Sequence, residues 1–113
     1  QVVEMKNDWY SYLGLGSTYL MLEKYESARK YLEKSIEIKN NWRAFRQLGI
    51  TLMEQGYQQK AIAVFRESIE LNENWKTYKY LGEALFNNNE FLESQMMIAK
   101  SNSLKEKDKN KSI

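Results

Sequence analysis

Residues 41–71 read NWRAFRQLGITLMEQGYQQKAIAVFRESIEL, and this stretch decides the fold. Phe45, Leu48, Gly49, Leu52 and Met53 follow the i, i+3, i+4, i+7, i+8 spacing of an amphipathic helix. Gly56 interrupts that stripe at a place suited to the left-handed backbone of a helix C-cap. Ala61, Ile62, Phe65, Ile69 and Leu71 then build a second apolar stripe, so the stretch predicts two helices joined by a tight turn. Asn41 stands just before Trp42, where its side chain can accept from free amides at the helix start.

The same pattern recurs on either side of this stretch at one constant spacing. Trp9, Trp42 and Trp75 superimpose, as do Tyr12, Phe45 and Tyr78. Leu15-Gly16, Leu48-Gly49 and Leu81-Gly82 follow, then Tyr19, Leu52 and Leu85. Ala28, Ala61 and Ser94 give a shared small residue, Ser35, Ser68 and Ser101 a shared serine, and Ile38, Leu71 and Leu104 close each unit. Asp8, Asn41 and Asn74 precede the three tryptophans as helix caps. The predicted helices are 9–22, 26–38, 42–55, 58–71, 75–88 and 91–105. The units are repeat 1 over 9–41, repeat 2 over 42–74 and repeat 3 over 75–107, followed by a polar tail at 108–113. One pair of helices cannot bury its apolar faces alone, so the units are expected to stack on their neighbours.

Val3 to Asp8 align with Ile36 to Asn41, so residues 1–8 are expected to be the end of a truncated upstream repeat. Gln1 opens the chain without an initiator Met or a signal pattern, which suggests a segment of a longer protein. Met97, Ile98 and Leu104 have no polar capping helix after them, so the ends are expected to associate with another molecule.

The chain contains no Cys, His or Pro among 113 residues, and five Gly. Scarcity of helix breakers agrees with an all-α fold. Without Cys there is no disulfide framework or thiolate nucleophile, which is compatible with a reducing cytoplasm. Without His the side chain most often used for acid–base catalysis near neutrality is missing. The net charge of +2 lies in the run from Lys105 to Ile113, read as a disordered end or linker, and the body balances to zero. A neutral body is a weak case for nucleic acid, which needs a concentrated basic footprint. No apolar run approaches the roughly 18 residues that a membrane span requires.

The recurring aromatic, Leu-Gly and Tyr positions of the first helix, with the small residues of the second, resemble the tetratricopeptide repeat family over residues 9 to 105. The resemblance implies a right-handed α-solenoid of helix-turn-helix units. Three departures stand out. These are 33-residue units, one residue short of the family's usual length, and they lack its closing Pro. Glu23 and Asn89 also replace the turn glycine seen at Gly56.

In that family the first helices line a concave groove that binds peptides. The resemblance therefore implies a protein–protein interaction scaffold without cofactor or metal. Arg43 and Arg46 share one helix face and become Lys76 and Lys79 one repeat later, which predicts a basic patch in the groove. Tyr10, Leu13, Met53 and Phe86 are its candidate apolar anchors, and an acidic, amphipathic peptide is the partner that suits this mixture. The family's carboxylate clamp for chaperone tails is a poor match, because its positions fall at Leu13, Ser17, Gln47, Lys76 and Tyr80. The tryptophan ladder is read first as packing between repeats, with an aromatic platform for glycan or peptide stacking as the alternative. Glu33, Glu37, Glu67 and Glu70 recur at solvent-facing spacings beside Lys or Arg, so no catalytic group is expected. Two other readings stay open: a substrate-docking segment of a larger glycosyl- or sulfotransferase, and a homotypic assembly module.

Overall fold

The computed structural model describes residues 8–111, so the expected upstream remnant, Asp8 apart, lies outside the described residues. These form six α-helices and no strand: α1 Trp9–Met21, α2 Tyr25–Ile38, α3 Trp42–Glu54, α4 Gln58–Leu71, α5 Trp75–Asn87 and α6 Phe91–Lys111. The first helix of each pair begins on a tryptophan. Its amides are capped by the preceding side chain: Asp8 Oδ1 accepts from the Tyr10 and Ser11 amides, Asn41 Oδ1 from Ala44 at 2.8 Å, and Asn74 Oδ1 from Lys76 at 3.0 Å. These contacts satisfy donors that a helix start would otherwise leave open.

The turn inside each pair is the same backbone motif three times. The amides of Lys24, Tyr57 and Glu90 reach back to the carbonyls of Tyr19, Leu52 and Leu85 at 2.8–2.9 Å. Those of Glu23, Gly56 and Asn89 bond to Leu20, Met53 and Phe86. This double closure places the residue after the helix in the left-handed region. Gly56 sits there with φ 92°, and Glu23 and Asn89 adopt it too, with φ 60° and 65°. The turn is thus set by packing of the helix pair, and Glu23 carries the strain of a side chain that disfavours it.

Helices of a pair approach closely because a glycine faces a large side chain. A β-carbon built on Gly49 would stand 2.6 Å from the Phe65 ring, and Gly16 and Gly82 meet Leu32 and Ile98 in the same way. Phe65, Leu32, Leu81 and Leu85 are fully buried at the centre of a continuous core. Successive pairs then stack: α2 packs on α3 and α4 on α5, while the first helices also meet, α1 with α3 and α3 with α5. The result is an all-α solenoid of helix-turn-helix units.

Two expectations about the ends need correction. The run after Lys105 is not a loose tail, for α6 continues as helix to Lys111. Its composition contains no breaker, and Lys and Glu are good helix formers with opposite charges at i, i+3 spacing, as in Glu106 and Lys109. Met97 and Ile98 are not exposed either. Met97 packs on the core, and Ile98 covers Gly82, so both serve their own pair. The side chains left open are Phe91, Leu92 and Met96, joined by Phe86 across the turn. At the positions where α4 places Ile62 and Ile69 towards α5, α6 has the exposed residues Gln95 and Asn102.

Candidate interaction surface

The first helices carry the candidate groove residues at equivalent positions. Tyr10, Arg43 and Lys76 occupy one; Leu13, Arg46 and Lys79 the next; Leu20, Met53 and Phe86 a third. Tyr10 and Phe86 are open to solvent, at 64% and 59% exposure. Leu13 and Met53 are not groove anchors: at 7% and 8% exposure they belong to the core cluster with Leu48 and Leu52. Apolar side chains near a seam between stacked helices gain about 25 cal/mol for each Å² taken out of water, so they turn inward. The apolar part of the surface therefore reduces to Tyr10 and Phe86, with Met21 exposed at the end of α1.

The four cations also divide. Arg43, Lys76 and Lys79 are exposed, whereas Arg46 is half-buried. The Arg46 guanidinium lies 5.2 Å from the centre of the Trp42 ring, and its Nη1 donates to Asn74 Oδ1 at 3.3 Å. Burial pulls the Arg46 pKa below its ordinary value; Tyr80 offsets part of this and the charge of Arg43 adds to it. Arg46 thus ties repeat 2 to the cap of α5, while Arg43, Lys76 and Lys79 face water.

The tryptophans organise these charges. Arg43 lies 4.6 Å from the Trp42 ring centre, Lys76 5.7 Å from that of Trp75, Lys39 5.1 Å from that of Trp9, and Lys105 4.7 Å from that of Trp75. Each indole face attracts a cation through its quadrupole. The ladder is therefore both packing and a rack for positive charge, which the sequence reading did not join together. A signal was present: Lys39 and Lys105 hold the same repeat position in the first and third units, where the second has Asn72.

The ion pairs among the described residues all lie on the second helices, although Lys30, Lys60 and Lys100 of those helices take part in none. On the second helices Arg29 pairs with Glu33, Lys34 with Glu37, and Arg66 with Glu93 of α6. Among the described residues Lys39, Arg43, Arg46, Lys76 and Lys79 have no such carboxylate partner. An anion arriving at the first helices would meet cations held in no ion pair, with Glu83 of α5 the acidic side chain exposed on the same helix as Lys76 and Lys79. The clamp positions give one exposed cation, Lys76, because Leu13 is buried and Ser17, Gln47 and Tyr80 carry no positive charge. No group of three or more potential metal ligands occurs among the described residues, and no described helix is long and apolar enough to cross a membrane.

Comparison with known proteins gives two kinds of match. Tetratricopeptide repeat profiles match residues 10–41 and residues 42–75, together more than half of the chain. Among solved structures, a crystal structure of MamA superimposes with a TM-score of 0.87 at 21% identity, covering 93% of this chain and 63% of that one. MamA MSR-1 gives 0.82 at 24%, covering 90% and 60%, and MamA AMB-1 gives 0.81 at 25%, covering 88% and 60%. The chain thus spans about 60% of the length of the MamA chains it matches. No curated protein sequence matches it.

Proposed function

Because the chain belongs to the tetratricopeptide repeat family, we propose that it is a protein-interaction module. On this reading α5 and α6 form a third repeat of the same kind, and the first helices bind an acidic, amphipathic peptide. The observation that carries the reading is the uneven pairing of charge. Among the described residues, ion pairs form on the second helices, and the cations of the first helices take part in none. Arg43 supplies a planar fork for bidentate contact with a carboxylate, and Lys76 and Lys79 act as point charges. Tyr10 and Phe86 take over the anchoring role expected of Leu13 and Met53.

An exposed ion pair contributes about 0–1 kcal/mol, so charge alone does not give tight binding. Micromolar affinity that weakens with added salt is the expected regime. The test is titration of an acidic amphipathic peptide against Arg43→Glu, Lys76→Glu. The double variant should lose about tenfold or more in affinity and most of the salt dependence, with helicity intact. Unchanged affinity and salt dependence would show that the patch is only a solvated face. Nothing in the fold or in the comparisons favours the substrate-docking alternative. Homotypic assembly is the other reading, and the exposed apolar side chains Phe91, Leu92 and Met96 of α6 are the surface it would use.

A further inference from the structure

Between the first two repeats lies a cleft of 360 Å³ whose walls include Trp9, Trp42 and Leu71 and whose rim carries Lys39 and Arg43. Its volume is at the lower end of the roughly 300–1,000 Å³ typical of ligand pockets, enough for one large side chain and its neighbours. Leu71, the last residue of α4, is 48% exposed and leaves apolar surface open in the cleft lining. Among the described residues, no acidic side chain lines the cleft. Asn41, which also lines it, is already committed, donating to Lys39 O and Ser35 Oγ and accepting from Ala44, so the polar groups left to a ligand are Asn40 and the two cations.

Those cations are held rather than free. Lys39 rests over the Trp9 ring and Arg43 over that of Trp42, so each indole is both wall and charge support. Stacking fixes the guanidinium plane and leaves N–H groups at its edge available to an acceptor. Arg46 stacks on the same indole as Arg43, which places two like charges together without a carboxylate between them. A negative group entering here would relieve that repulsion.

We infer that the cleft between Trp9 and Trp42 is a pocket for an apolar side chain flanked by carboxylates on an acidic peptide segment. This rests on the peptide-binding reading above and adds a subsite at the edge of the solenoid, one repeat away from Lys76 and Lys79. The anchor side chain enters between the indoles against Leu71, and a carboxylate on either side meets Lys39 and Arg43.

The probe is a fluorescein-labelled decapeptide rich in Glu with one central Phe, followed by anisotropy. A second peptide replaces the Phe by Ser, a third replaces every Glu by Gln, and a single-stranded oligothymidylate tests a polyanion of another class. The native chain should prefer the first peptide over the second and third by about tenfold each. Lys39→Glu, an exposed change that leaves the fold intact, should remove about tenfold from the first peptide. Trp9→Leu should abolish the preference for Phe over Ser. Equal binding of the Phe and Ser peptides overturns the pocket. So does an indifferent Lys39→Glu when Lys76→Glu, Lys79→Glu still abolishes binding, an outcome that leaves the groove standing. Failure of every peptide to bind overturns both readings, and tighter binding of oligothymidylate that Lys39→Glu abolishes reassigns the cleft to nucleic acid.

Discussion

The hydroxyl of Ser68 donates a 2.9 Å hydrogen bond to the main-chain carbonyl of Trp42, 26 residues earlier. Ser35 makes the same bond to Trp9 and Ser101 to Trp75, both at 2.8 Å. Ser68 has no exposed surface, so its hydroxyl would be an orphan without that carbonyl. The bond ties the end of each second helix to the start of the first helix in its pair, and so holds the edge on which the tryptophans stand. Ser68→Ala should cost about 1 kcal/mol in urea unfolding, and Ser68→Val more, because its branches must occupy the same tight gap. An unchanged midpoint for Ser68→Ala would mean that the bond is incidental.

Glu23 adopts φ 60° in a turn whose counterpart is Gly56. A non-glycine residue there costs about 1–2 kcal/mol. The gain from relaxing it is reduced by the greater freedom of glycine in the unfolded chain. Glu23→Gly should therefore stabilise by about 0.5–1 kcal/mol, read as a higher Tm, whereas Gly56→Ala should destabilise.

Gly49 is the point of closest approach between α3 and α4. A methyl group there would meet the Phe65 ring at 2.6–2.9 Å, and Phe65 is fully buried with no room to retreat. Gly49→Ala should cost about 1–3 kcal/mol by overpacking despite the better helix propensity of Ala. The combination Gly49→Ala, Phe65→Leu should recover part of that loss, a coupling that a double-mutant cycle measures.

Tyr78 donates from its hydroxyl to Glu73 Oε2 at 2.9 Å. Burial first, then that carboxylate, push its pKa from 10.0 up to about 12. The folded state thus holds the phenol proton more tightly than the unfolded chain. Its contribution is complete below pH 10 and is lost as pH rises to about 12. Alkaline unfolding followed by circular dichroism should show this loss in the native chain. Tyr78→Phe should be less stable at neutral pH and should lack the drop over that interval.

Much of the fold was legible in one dimension. The Trp, Leu-Gly and serine positions recur at one fixed interval, and the helix starts at Trp9, Trp42 and Trp75 follow directly. Cap residues Asp8, Asn41 and Asn74 were legible because capping is a local matter of one side chain and the next few amides. The interaction surface was legible only in part. Leu13 and Arg46 hold equivalent positions, yet one enters the core and the other stacks on an indole and bonds to Asn74. Periodicity assigns a residue to a face of its helix; it does not say whether a neighbouring helix covers that face. The same gap explains Met97 and Ile98, expected at an open end and found covering their own pair.

By itself, then, the sequence determined the helix pairs and their caps, because these depend on spacing along the chain and on contacts within a few residues. Only the tertiary structure decided which groove residues remain open, and that Lys39, Arg43, Lys76 and Lys105 gather on the tryptophans. Lys105 reaches Trp75 from far along α6, at the end of the pair opposite the turn that joins that helix to α5. That meeting depends on the angle and distance at which two helices pack, which the side chains of the whole core set together.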